Sequence, residues 1–395
     1  MAHKANPSPC PSSIFNKLKN SLSPASEVLL ASNANLTAAG FTARWNAFDA
    51  PSYLVYAKPA NDDDVKAIVQ YASTANAPFM ATGGGSGYTN TTAALQGAIG
   101  VDMGNFKSIG INAAANWMTI GGGVIFDDIF EPLYAAGKEI RVGPYQGIHG
   151  LLLDALESIT VVAGSGETVT ASEQENADLF WGMRGAGHNF GIVTSATYKI
   201  HDRTNDGMAL NGDFVYPASA KESIFQLIKT LEKDQPDELS IWPEEKGMPY
   251  LQPFIDGSPL RQSVGLLPWN RLIKDNRFGE FDVATYAELV DDFDALYAQN
   301  PANIISILVL ELFPNRVTRL VPDEKTAYPY CDSIGYMFLF FVFQDEAARV
   351  AAKKFALETR SKLLQRGCAK SPIEVYVNYA HGDEGPVAWY SERKP

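Results

Sequence analysis

The sequence is poor in cysteine, in positive charge and in long apolar runs. Cys10, Cys331 and Cys368 are the only thiols in 395 residues. None falls in a CxxC pair or at metal-ligand spacing, so neither a disulfide framework nor a metal site is expected. Lys and Arg number 32 against 45 Asp and Glu, a net charge of −13. That balance repels phosphate backbones and anionic lipid, which sets aside nucleic acid and membrane surfaces as partners. No uninterrupted apolar run reaches the roughly 20 residues of a spanning helix. The run 338–343 reads instead as a buried strand. Residues 1–20 hold no apolar stretch of the kind a secretory leader carries, which inclines the reading to a cytoplasmic location. The sequons at Asn35 and Asn90 carry little weight without a leader.

What remains is a globular composition, 46% hydrophobic and 19% charged, with length for two or three domains. Residues 1–51 read as a lead-in, Ser/Pro/Asn-rich and irregular over the first 25. From Tyr53 strands and helices alternate. YLVYAKP is followed by a helix opening at Asp62, Asp63 and Asp64, where carboxylates oppose the helix dipole. PFMATGGGSGYT is a strand entering a glycine loop, WMTIGGG a second, and FDDIFEPLYAAGK a helix closed by Gly137. SITVVAGSGETVTAS is a hairpin and NFGIVTSATYKI a last alternating strand. The character changes near His201. Up to about residue 364, amphipathic helices alternate with the strands NIISILVLELF and IGYMFLFFVF, the pattern of an antiparallel sheet covered by helices. Residues 365–395 are expected to return to the first domain, over 52–200, by a strand through YVNY.

Three glycine clusters fall within this first domain: 83–87, 121–123 and 182–191. Glycine lets backbone approach a flat or phosphorylated ligand and aim N–H groups at it. No cluster fits GxGxxG or GxxxxGK[ST], so nicotinamide Rossmann and P-loop readings are weak.

The block ENADLFWGMRGAGHNFGIVT resembles the signature of the berberine-bridge-enzyme branch of the vanillyl-alcohol-oxidase superfamily, whose FAD-binding domain is of the PCMH type. PFMATGGGSGY resembles its pyrophosphate loop, TAYPYCDS its substrate-domain block and YVNYAHGDEGPVAWY its flavin-facing segment. These matches run from Tyr53 to Tyr390, and fungal members look most similar. The resemblance implies an α+β fold: an FAD domain of two subdomains, plus a substrate domain with a helix-covered antiparallel sheet. It implies an oxidase-like FAD-dependent oxidoreductase, expected to be a monomer. Hydride would pass from a C–H beside O or N of a natural-product or sugar-like substrate to flavin, and electrons then to O2. Backbone of Thr82, Gly83, Gly84, Gly85, Ser86 and Gly87 would hold the pyrophosphate. Gly187, Asn189, Gly191, Ile192 and Val193 would line the adenine-ribose end, and Asn378 and Tyr379 would face the ring. Tyr376 matches a tyrosine that relatives use near the substrate, a proton acceptor or relay, with His381 as the alternative carrier. A free phenol near pH 10 is a poor base, so this role needs a lowered pKa or a water relay.

Departures from the family sharpen the expectation. Ser86 stands where relatives carry a histidine bonded to flavin, and the stretch bearing their flavin-linked cysteine is missing between Ile140 and Gly143. Noncovalent FAD follows. Cys331 stands where the family has arginine and reads as an inert core thiol. Met337 and Leu339 are apolar where plant relatives present a charged or amide side chain to the substrate. The family pattern also continues past Tyr390 with elements that the sequence to Pro395 does not match. These absences support a second reading, a catalytically impaired ligand-binding protein of the same fold. His149 and His188, beside glycines, read as structural.

Overall fold

A computed structural model describes residues 10–33, 40–44, 50–87, 89–140, 149–208, 214, 216–237, 239, 244–246, 267–269, 281–299, 304–312, 314–331, 333, 335–343, 345–366 and 374–392. Where it is described, the lead-in holds regular structure. Pro11 starts helix α1 (Pro11–Ser21) at a position where its missing N–H costs nothing. Ile14 and Leu18, four apart on one stripe, are buried in the first core. Strand β1 (Glu27–Leu30) then pairs antiparallel with β2 (Tyr53–Lys58). Helix α2 (Asp62–Ala75) is capped by the Asn61 side chain, which accepts from the Asp64 N–H at 3.0 Å. Its stripe of Val65, Ile68, Val69 and Ala72 packs on the sheet formed with β3 (Phe79–Thr82) and β4 (Ala98–Asp102). Strand order is β1-β2-β4-β3, with β2, β4 and β3 parallel.

Strands β5 (Ile109–Asn112) and β6 (Trp117–Gly121) begin a second sheet. Helix α3 (Phe126–Ala135) and the short strand β7 (Lys138–Glu139) follow. The hairpin β8 (Leu156–Ala163) and β9 (Thr168–Ser172) precedes helix α4 (Ala177–Ala186), whose helical dihedrals break at Arg184 and Gly185. Strand β10 (Gly191–Lys199) enters the middle of the sheet, giving the antiparallel order β5-β6-β10-β8-β9. Strand β11 (His201–Asp202) pairs with β7.

The described residues between Lys221 and Gln365 build a third layer. Helices α5 (Lys221–Asp234), α6 (Val283–Gln299) and α7 (Glu346–Gln365) alternate with β12 (Glu244–Lys246), β13 (Leu267–Trp269), β14 (Ile304–Leu312) and β15 (Gly335–Phe343). The sheet is antiparallel, ordered β12-β14-β15-β13. Phe225, Phe293, Leu310, Met337, Leu339 and Phe341 share one core between it and the helices. This is the expected α+β architecture. The expected strand through YVNY is absent: Val377–Tyr379 is a 3-10 turn, followed by helix α8 (Pro386–Tyr390). Among the described residues no helix is long and apolar enough to cross a membrane.

Candidate active site

Strand β3 delivers Thr82 into the loop 83–87. A Cβ on Gly83 would lie 3.0 Å from the Gly122 carbonyl oxygen, and one on Gly122 only 2.1 Å from that of Val193. The Gly122 N–H donates to the Thr194 carbonyl at 2.9 Å. Glycine clusters far apart in sequence therefore meet where the first sheet abuts the second, because only bare backbone fits there. Gly85 has φ +72°, and a Cβ on it would sit 2.4 Å from the Ala43 carbonyl oxygen. The loop's other side is open. Gly84, Ser86 and Gly87 are exposed, and a Cβ on Gly87 would meet nothing within 4 Å. Among the described residues, no N–H of residues 83–87 donates to a backbone acceptor. A row of unspent donors on accessible backbone can serve as an anion cradle, and its chemistry would suit a diphosphate such as that of FAD.

Of the other expected cofactor residues, Val193 lies against Gly122, which meets this loop. Ile192 is 3% exposed in the first core and Val193 packs beside Val161 and Phe180, so their side chains are occupied. Gly191 leaves no room for a Cβ, which would fall 2.4 Å from the Val162 carbonyl oxygen. Gly187 and Asn189 lie in a 3-10 turn. The Asn189 amide donates to the Tyr390 hydroxyl at 3.1 Å, and His188 Nε2 lies 2.8 Å from that hydroxyl. Partial burial pushes the His188 pKa down.

A tyrosine cluster forms between the third layer and the return segment. Trp181 Nε1 donates to the Glu324 carbonyl at 2.8 Å and the Tyr328 N–H to that of Arg184 at 3.0 Å, clipping TAYP onto the break in α4. Gly185, at φ +136°, lets Tyr328 approach. The Tyr328 and Tyr336 hydroxyls share a hydrogen bond. Tyr336 stacks on Tyr376 with centroids 5.8 Å apart, and Tyr379 meets Tyr376 edge-on at 5.3 Å. Burial, reinforced by Tyr336, raises the Tyr328 pKa well above 10, so Tyr328 stays protonated. The turn that replaces the expected strand swings Asn378 round, and its Nδ2 donates to the Tyr376 hydroxyl at 2.6 Å. Tyr376 is half-buried and Asn378 exposed. The same segment reaches the exit of the glycine loop, where the Ala380 carbonyl accepts from the Asn90 N–H at 2.9 Å and the Thr89 hydroxyl at 3.1 Å.

Other expectations change. Met337 and Leu339 are each 1% exposed and face the helices, not the tyrosines. Side chains on a strand alternate, so Tyr336 takes the face that sequence matching gave to its neighbours. His381 Nδ1 lies 3.4 Å from Asp383, whose carboxylate also binds Arg360 at 2.9 Å. Arg360 holds the Asp383 carboxyl below its usual range. Asn90 is 4% exposed, which closes it to glycosylation. Cys331 is buried beside Tyr328 and Tyr330. The shortened junction beyond Ile140, at 141–148, lies outside the described residues, as does Cys368.

Comparison with known proteins agrees with this geometry. A family model described as an FAD binding domain matches residues 53–148. The FAD-linked oxidoreductase azaL of Aspergillus niger is 34% identical over 442 residues, covering 96% of this chain and 92% of that protein. The aligned stretch exceeds 395 residues, so that relative carries segments without counterpart here. The FAD-linked oxidoreductase tazG of Aspergillus terreus is 34% identical, covering 94% of this chain and 88% of that protein. Glucooligosaccharide oxidase from Acremonium strictum, which carries a 6-S-cysteinyl, 8α-N1-histidyl FAD, superposes with a TM-score of 0.76 at 16% identity over 96% of this chain and 94% of its own. Physcomitrella patens BBE-like 1 gives 0.75 at 16% identity over the same shares. The chain belongs to the FAD-linked oxidoreductases, built on the fold of the berberine-bridge-enzyme-like branch of the vanillyl-alcohol-oxidase superfamily.

Proposed function

We propose that the protein, as a monomer with noncovalent FAD, oxidises a natural-product or sugar-like molecule at a C–H bond beside oxygen or nitrogen and passes the electrons to O2. The fold neighbours bracket this range: one is a chitooligosaccharide oxidase and another a 6-hydroxy-D-nicotine oxidase. Bound FAD supplies the hydride acceptor. In this reading residues 52–200 and 365–395 form the cofactor unit and 201–364 the substrate unit. Backbone of Thr82 and 83–87 holds the diphosphate; Gly187, Asn189, Gly191, Ile192 and Val193 flank the adenine-ribose end. Ser86 offers a hydroxyl where a histidyl bond would need an imidazole, which favours noncovalent attachment. Asn378 and Tyr379 orient the ring.

The observation that carries the proposal is the amide of Asn378 on the Tyr376 hydroxyl at 2.6 Å, beside the exit of the glycine loop. An N–H donated to the phenol oxygen directs the phenol's own proton elsewhere and supports charge on the oxygen as it forms. Tyr376 therefore takes or relays the substrate proton, with His381, tied to Asp383, as the reserve. The test is anaerobic stopped-flow reduction by a substrate drawn from a screen of alcohols, sugars and alkaloid-like amines. Tyr376→Phe is expected to slow flavin reduction about 10²–10⁴-fold, the usual worth of a positioned acid-base group, with FAD affinity unchanged. Unchanged reduction would remove Tyr376 from the mechanism.

A further inference from the structure

We propose that residues 42–44 form a strap that sets the diphosphate loop, and that Arg44 is the positioning cation of that site. This rests on the FAD reading of the loop 83–87. The three residues engage three successive parts of the loop's surroundings. The Thr42 N–H and hydroxyl donate to the two carboxylate oxygens of Asp102, at 2.5 and 3.1 Å. Asp102 ends β4 beside Thr82 and is 3% exposed, with a further bond from the Gly104 N–H at 2.7 Å. The Ala43 carbonyl lies against Gly85 in the middle of the loop, so close that only glycine fits. The Arg44 guanidinium donates to the Thr89 carbonyl, two residues past Gly87. The strap is thus pinned at the strand before the loop, touches its middle and holds its exit.

Charge gives this placement a function. The chain carries −13 overall, and the Asp102 carboxylate sits buried at the root of the loop. Backbone N–H groups offer only partial charges to a diphosphate. Burial lowers the Arg44 pKa, but from a value so high that the side chain remains a cation. A half-buried guanidinium fixed at the loop exit is therefore a full positive charge held where an anion on the cradle would feel it, screened less than a surface lysine.

The experiment titrates apo-protein with FAD and with riboflavin, which lacks the diphosphate, following flavin fluorescence at several salt concentrations. Arg44→Met is expected to raise the Kd for FAD about 10–100-fold, the worth of a charge-assisted hydrogen bond, while riboflavin binding stays within about twofold. The wild-type Kd for FAD should rise with salt more steeply than that of the variant. Arg44→Lys, which keeps the charge and is the milder change should Arg44→Met fail to fold, should retain most of the affinity and the salt slope. Equal weakening of FAD and riboflavin, or an Arg44→Lys protein with no salt dependence, would overturn the electrostatic role. Wild-type protein that binds riboflavin but gains nothing from the diphosphate of FAD would also overturn it. Wild-type protein that binds neither flavin would sink the FAD reading itself.

Discussion

Two glycines near the cradle should fail in opposite ways when changed to alanine. At Gly122 the added methyl would lie 2.1 Å from the Val193 carbonyl oxygen and 3.1 Å from its carbon, both backbone atoms of β10. The strand must retreat by about 1 Å, an overpacking cost of about 1–3 kcal/mol. That retreat also stretches the 2.9 Å bond from the Gly122 N–H to the Thr194 carbonyl, worth about 0.5–1.5 kcal/mol. Gly122→Ala should therefore lose about 2–4 kcal/mol of stability, seen as a lower guanidinium midpoint of apo-protein. At Gly87 a methyl meets nothing within 4 Å and needs no left-handed backbone. Gly87→Ala should leave stability unchanged or raise it by up to about 1 kcal/mol. It should nonetheless weaken FAD binding about tenfold, or 1.4 kcal/mol, by covering backbone that the proposal assigns to the diphosphate. A Gly122→Ala protein within about 0.5 kcal/mol of wild type would refute the close approach of the two sheets. An unchanged FAD affinity in Gly87→Ala would refute the assignment of the open side.

Acid precipitation of FAD-loaded protein should leave the yellow colour in the supernatant; colour in the pellet would show a covalent bond that Ser86 cannot make. Burial pushes the Asp64 carboxyl up, but bonds from Ser23, Ser26 and Ala60 outweigh it and hold its pKa below the usual value. A depressed carboxyl stabilises the fold above its unfolded pKa and loses that contribution as pH falls through the folded one. Asp64→Asn should thus be about 2 kcal/mol less stable near neutrality, with the gap closing below pH about 4; a gap that persists in acid would contradict this. Thiol labelling with mass mapping should modify exposed Cys10 in native protein but buried Cys331 only on unfolding; rapid native labelling of Cys331 would contradict its burial.

Strong local signals were legible from sequence. The capped, acidic start of α2, the glycine-terminated strands and the hairpin of β8 and β9 each arise from short-range chemistry. Helix α1 carried a signal too, Pro11 followed by Ile14 and Leu18, but its polar neighbours masked the stripe. The strand through YVNY was misread because Val375, Tyr376 and Val377 favour extended backbone, whereas tertiary packing on Tyr328 and Tyr336 imposes a turn. Met337 and Leu339, the positions that matching to relatives singled out on β15, turn to the helix core, and alternation along the strand puts Tyr336 on the opposite face. Arg44 had no motif around it. Its relation to the loop depends on Ala43 meeting Gly85, a contact that exists only once the chain has folded back.

The bond from the Thr89 hydroxyl to the Ala380 carbonyl joins positions 291 residues apart. At a synthesis rate of about 5–20 residues per second, the partner of Thr89 emerges roughly 15–60 s after Thr89 itself. Sheets β1–β4 and β5–β11 have all their strands long before then and are free to fold on the ribosome. The exit of the glycine loop is not, because its last anchor has yet to be made. If this loop holds the cofactor as proposed, capture is a late event in the life of the chain, and a truncation between Gln365 and Ala380, past the last sheet and helix α7 but short of the anchor, should yield a flavin-poor protein.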